Sequence, residues 1–353
     1  MMRHPMANPF TLTFGKSPLE PIERPVQTNE ILEAFTATPV NQQLFLITGV
    51  RGSGKTVMMT EIAHRLQSDE SWIVVELNSS ADLLQGLLSK LNSHRICAGI
   101  IKSARIDLSF FGFGVAIEGS SPITDPETAI SAILERLKAA GKRLLITIDE
   151  VTNNEYMRIF AGSFQIFVRQ DLPVFLLATG LYENIEELQN EKNLTFLYRA
   201  PKIPLQPLSR PAIIAKYRSI FQIDQETAVQ MADLTKGYSF AFQVLGYLTW
   251  NHNGDYHAVL DQYAQYLSEF VYDKIWSELS QKDRMVANGI ASVDGGKIKD
   301  VRDYLHLETN EFNPYRKRLI RKGLINGENR GYVTFTLPLF REYVLENYSA
   351  NPL

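Results

Sequence analysis

A parallel-sheet α/β domain followed by two helical regions is what the 353-residue sequence predicts, and three patterns carry that prediction. From about 40 to 206, short β-branched apolar runs alternate with helical stretches: LFLITG (44–49), WIVVEL (72–77), RLLITID (143–149), PVFLLATG (173–180) and KIPLQPL (202–208). Such alternation lays strands side by side in one direction and buries them under crossover helices. From about 209 to 279 the strand signals stop and helices follow one another, as in AIIAKYRSIF and SFAFQVLGYLTW, which predicts a small helical bundle. From about 280 onward come three short helices, a Gly/Asn turn in NGENRG (326–331), strand-like YVTFT and a last helix around LFREYVLEN, an order that resembles a winged helix. The expected domains are therefore 1–208, 209–279 and 280–353.

One stretch departs from the alternation. ARIDLSFFGFGVAIEG (104–119) reads as a strand pair around Gly112 and Gly114, a hairpin inserted between the second and third core strands. Its Phe110, Phe111 and Phe113 either pack inward, as apolar strand residues usually do, or meet a partner.

Composition excludes several classes. At 45% apolar and 21% charged residues the chain has neither a disordered nor a fibrous bias. No apolar run approaches the roughly 18–20 residues that span a bilayer, and the first residues lack a signal-peptide core, so a cytoplasmic protein with no membrane partner is expected. Cys97 is the only cysteine, which rules out an intramolecular disulfide and a cysteine zinc site. A net charge of −3 provides no global attraction to nucleic acid, so any such binding needs a local basic face.

The chemistry begins at GVRGSGKT (49–56), which matches G-x-x-x-x-G-K-[ST], the Walker A phosphate loop. Gly49, Val50, Arg51, Gly52, Ser53, Gly54, Lys55 and Thr56 follow a strand-like run and open the amphipathic segment TVMMTEIAHRLQ. Their backbone amides would sit at a helix N-terminus and converge on phosphate oxygens. Gly52 and Gly54 keep the backbone bare there, while Arg51 and Ser53 occupy variable positions. Lys55 is expected to neutralise the β- and γ-phosphates of ATP, and the Thr56 hydroxyl to ligate Mg²⁺.

RLLITIDE (143–150) supplies a second, Walker B-like part. An apolar strand ending in two carboxylates delivers both to the carboxyl edge of the sheet, where open α/β folds bind ligands. Asp149 is expected to hold Mg²⁺ through water, and Glu150 to polarise the water that attacks the γ-phosphate. Together with the loop, the pair predicts ATP hydrolysis.

These motifs resemble the AAA+ and STAND P-loop ATPases, and more closely the archaeal-type ATPases and archaeal origin-recognition ATPases. The resemblance covers most of the chain and implies a nucleotide domain, a helical lid and a C-terminal winged helix. NPFTLTFGKSPLEPIERPVQTNEILEAF (8–35) is similar to that family's N-terminal segment, in which a Phe-Gly-x-x-Pro stretch (14–18 here) and a following pair contact the adenine side. The pair is Glu23 and Arg24, with Glu23 in place of the usual Gly. Thr179 occupies the sensor position, either touching the γ-phosphate or merely ending its strand. Arg199 lies where relatives place the arginine that reaches a neighbouring subunit's nucleotide, and is either that finger or a surface residue. KGYSFAFQ (236–243) matches the lid helix start, but Phe240 stands where AAA+ proteins carry a sensing Arg, and Ser239 replaces the Pro of the STAND Gly-x-Pro.

Charge is segregated towards the C-terminus. Residues 280–353 hold 12 Lys/Arg against 9 Asp/Glu, a net +3 that leaves −6 elsewhere. In a winged helix the third helix enters a major groove and the wing lies on phosphates, which makes Asn313, Arg316, Lys317 and Arg330 the candidate contacts to duplex DNA. Two functions remain open on this reading: an ATP-driven switch acting on DNA, or a STAND-like regulatory scaffold whose winged helix binds a protein partner; self-association is open on either.

Overall fold

The structure, a computed structural model, describes residues 7–13, 15, 18–113, 122–192 and 194–350. Its contacts divide the chain into two compact units: a sheet unit of residues 24–48 and 55–204, and a helical unit of residues 1–23, 49–54 and 205–353.

In the sheet unit, α1 (Pro25–Thr36) leads to β1 (Leu44–Thr48), and α2 (Lys55–Gln67) to β2 (Trp72–Asn78). Next come α3 (Leu83–Ser93), α4 (Arg95–Ser103), α5 (Pro126–Ala139), β3 (Arg143–Asp149), α6 (Glu155–Arg169), β4 (Val174–Gly180), α7 (Tyr182–Gln189), α8 (Thr195–Tyr198) and β5 (Lys202–Pro204). The five strands form one parallel sheet in the order β2-β3-β4-β1-β5, so β4 separates the strand leading into the phosphate loop from the strand carrying Asp149.

Strands β1 and β4 are buried along their whole length, as expected of strands covered on both faces. The two-residue period sends Leu46, Ile146, Ile148 and Leu176 into a core with Leu87, Leu88, Ile133 and Phe164 from α3, α5 and α6. The alternate residues Phe45 and Phe175 instead meet Phe35 of α1, with ring centroids 5.5 and 5.2 Å away. Side chains of Asp82, Asp125 and Asn154 accept the amides of Gln85, Thr128 and Met157, the third residues of α3, α5 and α6, and fix where each helix starts. Cys97 is buried, and desolvation pushes its thiol up to about 11, an inert state.

The expected hairpin at 104–119 is not found in its described part. Residues 104–113 contain a turn and one 3₁₀ turn, Ser109–Phe111, and 114–119 lie outside the described residues. Local turn chemistry overrides the alternating pattern. Asp107 accepts the Ser109 amide at 3.0 Å, and Gly112 adopts φ +77°, a left-handed conformation that ends the turn. Phe111 and Phe113 pack on the sheet-unit core, whereas Phe110 is exposed.

The helical unit contains α9 (Arg210–Phe221), α10 (Gln225–Thr235), α11 (Ser239–Asn251), α12 (Leu260–Leu267), α13 (Asp273–Ser277), α14 (Gln281–Ser292), α15 (Ile298–Leu305) and α16 (Thr309–Arg321). An antiparallel pair, β6 (Ile325–Asn326) and β7 (Thr334–Phe335), precedes α17 (Phe340–Ala350). Residues expected to separate into a bundle and a terminal domain share one continuous core, from Ile213 and Phe242 through Tyr272 to Val286, Phe312 and Phe340.

The N-terminal residues belong to this core as well. Phe10 is buried with its ring stacked on Phe221 at 5.8 Å and edge-on to Phe242 at 5.5 Å. A Cβ at Gly246 would overlap that ring, so the glycine makes its seat. Asn8 and the Thr11 amide tie the segment to Tyr247 and Gln243. Phe14 of the Phe-Gly-x-x-Pro stretch lies outside the described residues. Phe10→Ala is expected to cost about 3–5 kcal/mol through the cavity it leaves, read as a lower urea midpoint at unchanged slope.

Candidate functional site

The two acids of β3 emerge as the parallel register requires: Asn78 pairs with Asp149, and Ile148 with Ala178, next to Thr179. Thr56, in the first turn of α2, donates from Oγ1 to Asp149 Oδ2 at 2.7 Å. On the other side Thr179 Oγ1 donates to Asp149 Oδ1, which also accepts the Glu150 amide at 3.0 Å. That amide reaches Thr179 Oγ1 too, at 3.2 Å. Both oxygens of one carboxylate are thus held by hydroxyls from two other elements, which fixes its rotamer.

Glu150 departs from the strand at φ +51°, a left-handed conformation that costs a non-glycine residue roughly 1–2 kcal/mol. The two bonds to its amide and a 3.4 Å bond from Ser79 Oγ to its carbonyl offset that cost. Its side chain is exposed at the sheet's carboxyl end, whereas Thr179 is fully buried. Lys55, the first residue of α2, is buried.

Residues 49–54 of the loop are counted with the helical unit, and the reason is visible at the start of α11. The buried Tyr238 hydroxyl donates to the Arg51 carbonyl at 2.6 Å, the Phe240 amide to the Gly52 carbonyl at 3.1 Å, and the Ser239 hydroxyl to the Ser53 carbonyl at 2.8 Å. Gly52 and Gly54 take φ +73° and +94°, and a Cβ at Gly52 would overlap the Tyr238 hydroxyl. Within the loop the Ser53 amide donates to the Val50 carbonyl at 3.3 Å, and Val50 packs on the helical core. Gly49 lies against Ser53, whose hydroxyl a Cβ there would crowd. The Arg51 guanidinium reaches Glu278, just past α13, at 3.5 Å. Ser239 and Phe240 were legible as the lid helix start, but Tyr238 and Glu278 were not. No local spacing marks a hydroxyl whose acceptor lies 187 residues away.

Other expected positions are more dispersed. Arg24 is the N-cap of α1, and desolvation lowers its guanidinium below the usual arginine range. Arg199 is exposed at the end of α8. In the C-terminal segment Arg316 is partly buried, its guanidinium 3.5 Å from the Gly327 carbonyl in the β6–β7 connection. Arg318 pairs with the buried Asp283 at 3.0 Å, Arg302 donates to Thr309, and Arg341 to Asp294. Lys317 and Arg330 are exposed, and Asn313 is half-buried.

Among solved structures, the Walker-type ATPase PABY2304 of Pyrococcus abyssi matches with a TM-score of 0.65 at 14% identity, over 92% of this chain and 96% of that one. The ORC2 protein of Aeropyrum pernix, in its ADPNP-ADP complexes, matches at 0.54 with 12% identity over 92% of each chain. The chain has the P-loop ATPase fold of the archaeal origin-recognition type. This P-loop ATPase fold carries at its C-terminal end a match to the model of a domain of unknown function (DUF8462), residues 269–344. No curated protein sequence matches the chain. Among the described residues no helix is long and apolar enough to cross a membrane.

Thr179→Val keeps the side chain's shape but strips Asp149 and the Glu150 amide of a partner. It is expected to cost about 1–3 kcal/mol in chemical denaturation, with Thr179→Ser restoring most of the loss.

Proposed function

We propose that the chain binds ATP with Mg²⁺ along residues 49–56, hydrolyses it, and works as a nucleotide-dependent switch that acts on a target through residues 280–353. The observation that carries this reading is the meeting of Thr56, Asp149 and Glu150. A hydroxyl and a carboxylate oxygen 2.7 Å apart already gather hard oxygen donors of the kind Mg²⁺ requires, next in sequence to the Glu150 carboxylate. Open space at Gly54, where a Cβ would meet only Ser239 at 3.5 Å, fits the close approach of phosphate.

When bound, ATP with Mg²⁺ supplies the phosphoanhydride and the cation that offsets its charge. Lys55 adds a fixed positive charge at the phosphates. Asp149 and Thr56 are oriented to hold the cation, and Glu150 takes a proton from water at its exposed carboxylate. Thr179 serves them by fixing the Asp149 rotamer, since its hydroxyl proton is spent there. Arg199 enters only through self-association, reaching the nucleotide of another copy.

For the target we propose duplex DNA, with residues 280–353 acting as a winged helix. Three helices followed by the β6–β7 pair support this, as do the exposed Lys317 and Arg330 and the half-buried Asn313. A second reading, a regulatory ATPase that presents the same segment to a protein, is favoured by the engagement of Arg302, Arg316, Arg318 and Arg341 in internal contacts.

Glu150→Gln is expected to retain ATP while turnover falls about 10²–10⁴-fold; unchanged turnover removes the assigned base. Duplex binding that weakens steeply with salt and is lost in Lys317→Glu/Arg330→Glu supports DNA as target. If the unaltered protein leaves duplex DNA unbound at low salt, the protein-binding reading replaces it.

A further inference from the structure

We infer that Tyr238, with Ser239, is a positioning residue for phosphate binding: α11 grips the outward carbonyls of the phosphate loop and thereby aims its amides before any nucleotide arrives. The inference rests on the ATP reading above for its ligand, but the grip itself lies wholly within the helical unit.

In a planar trans peptide the carbonyl oxygen and the next residue's amide hydrogen lie on opposite edges. Holding the oxygens of Arg51, Gly52 and Ser53 therefore directs the amides of Gly52, Ser53 and Gly54 away from α11. The Ser53 amide is turned into the loop, onto the Val50 carbonyl. The amides of the two left-handed glycines, at φ +73° and +94°, are aimed away from the gripping helix, the arrangement from which anion-binding nests are built.

Three successive carbonyls are held by three successive residues. Tyr238 is suited to this grip. Its ring is buried in the helical core, and desolvation holds its hydroxyl far above the usual tyrosine range, so it remains a donor throughout the pH range in which proteins fold. Gly52 must lack a side chain for the hydroxyl to reach its acceptor.

The test uses the full chain and two variants, Tyr238→Phe and Ser239→Ala, each removing one hydroxyl while leaving α11 its packing. Without nucleotide, amide exchange across residues 50–54 is expected to quicken in both variants, with exchange in β3 and β4 unchanged. With ATP, the dissociation constant is expected to rise roughly three- to tenfold, the equilibrium equivalent of one lost hydrogen bond, while turnover at saturating ATP stays within about twofold of the parent. Exchange and affinity both at parental values, in variants of parental stability, overturn the inference. A saturation rate that falls while affinity holds also overturns it, because the hydroxyls then serve the chemical step. If the unaltered protein fails to bind ATP, the ATP reading falls separately, and unchanged loop exchange still refutes the grip.

Discussion

A peptide plane has two polar edges, and in residues 50–54 the use of one edge decides the use of the other. The carbonyl edge is taken by Tyr238, Ser239 and Phe240. The motif's first six residues thus keep company with helices, while Lys55 and Thr56 begin the helix that packs on the sheet. Residues 49–54 accordingly belong with the helical unit. Their shape depends on side chains nearly two hundred residues further along the chain.

The carboxyl edge of the sheet shows the same economy of polar groups. Asp149 is held through both oxygens, and one of its partners, Thr179, also receives the amide that lets Glu150 turn left-handed. Strain at Glu150 is local and is offset locally, which is how a non-glycine residue remains in a conformation that re-aims a side chain at a strand end. Adjacent carboxylates in sequence thereby acquire different surroundings, one pinned among hydroxyls and the other exposed.

Much of this was legible in the amino-acid order. LFLIT, RLLITID and PVFLLATG, alternating with helical stretches, read as strands of a covered parallel sheet, and GVRGSGKT and IDE fell at the strand ends where such a sheet gathers its chemistry. Illegible features share a physical cause: partners distant in sequence or local geometry that outbids pattern. At 104–113 the alternation was real, but an Asp107 side chain and a left-handed Gly112 made turns of it. Counting charges in 310–325 showed a basic helix, yet it could not reveal that Arg318 faces a buried Asp283, or that Arg316 leans on the next connection.

The seat of Phe10 bears on how this protein can be dissected. A fragment cut to begin at the first helix, near residue 24, would discard the ring that fills the hollow at Gly246. One cut to end after the sheet, near residue 208, would discard the helix on which its own loop rests. Neither piece is a smaller version of the protein, so the shortest faithful unit for biochemical work includes the residues that precede and follow the sheet unit in sequence.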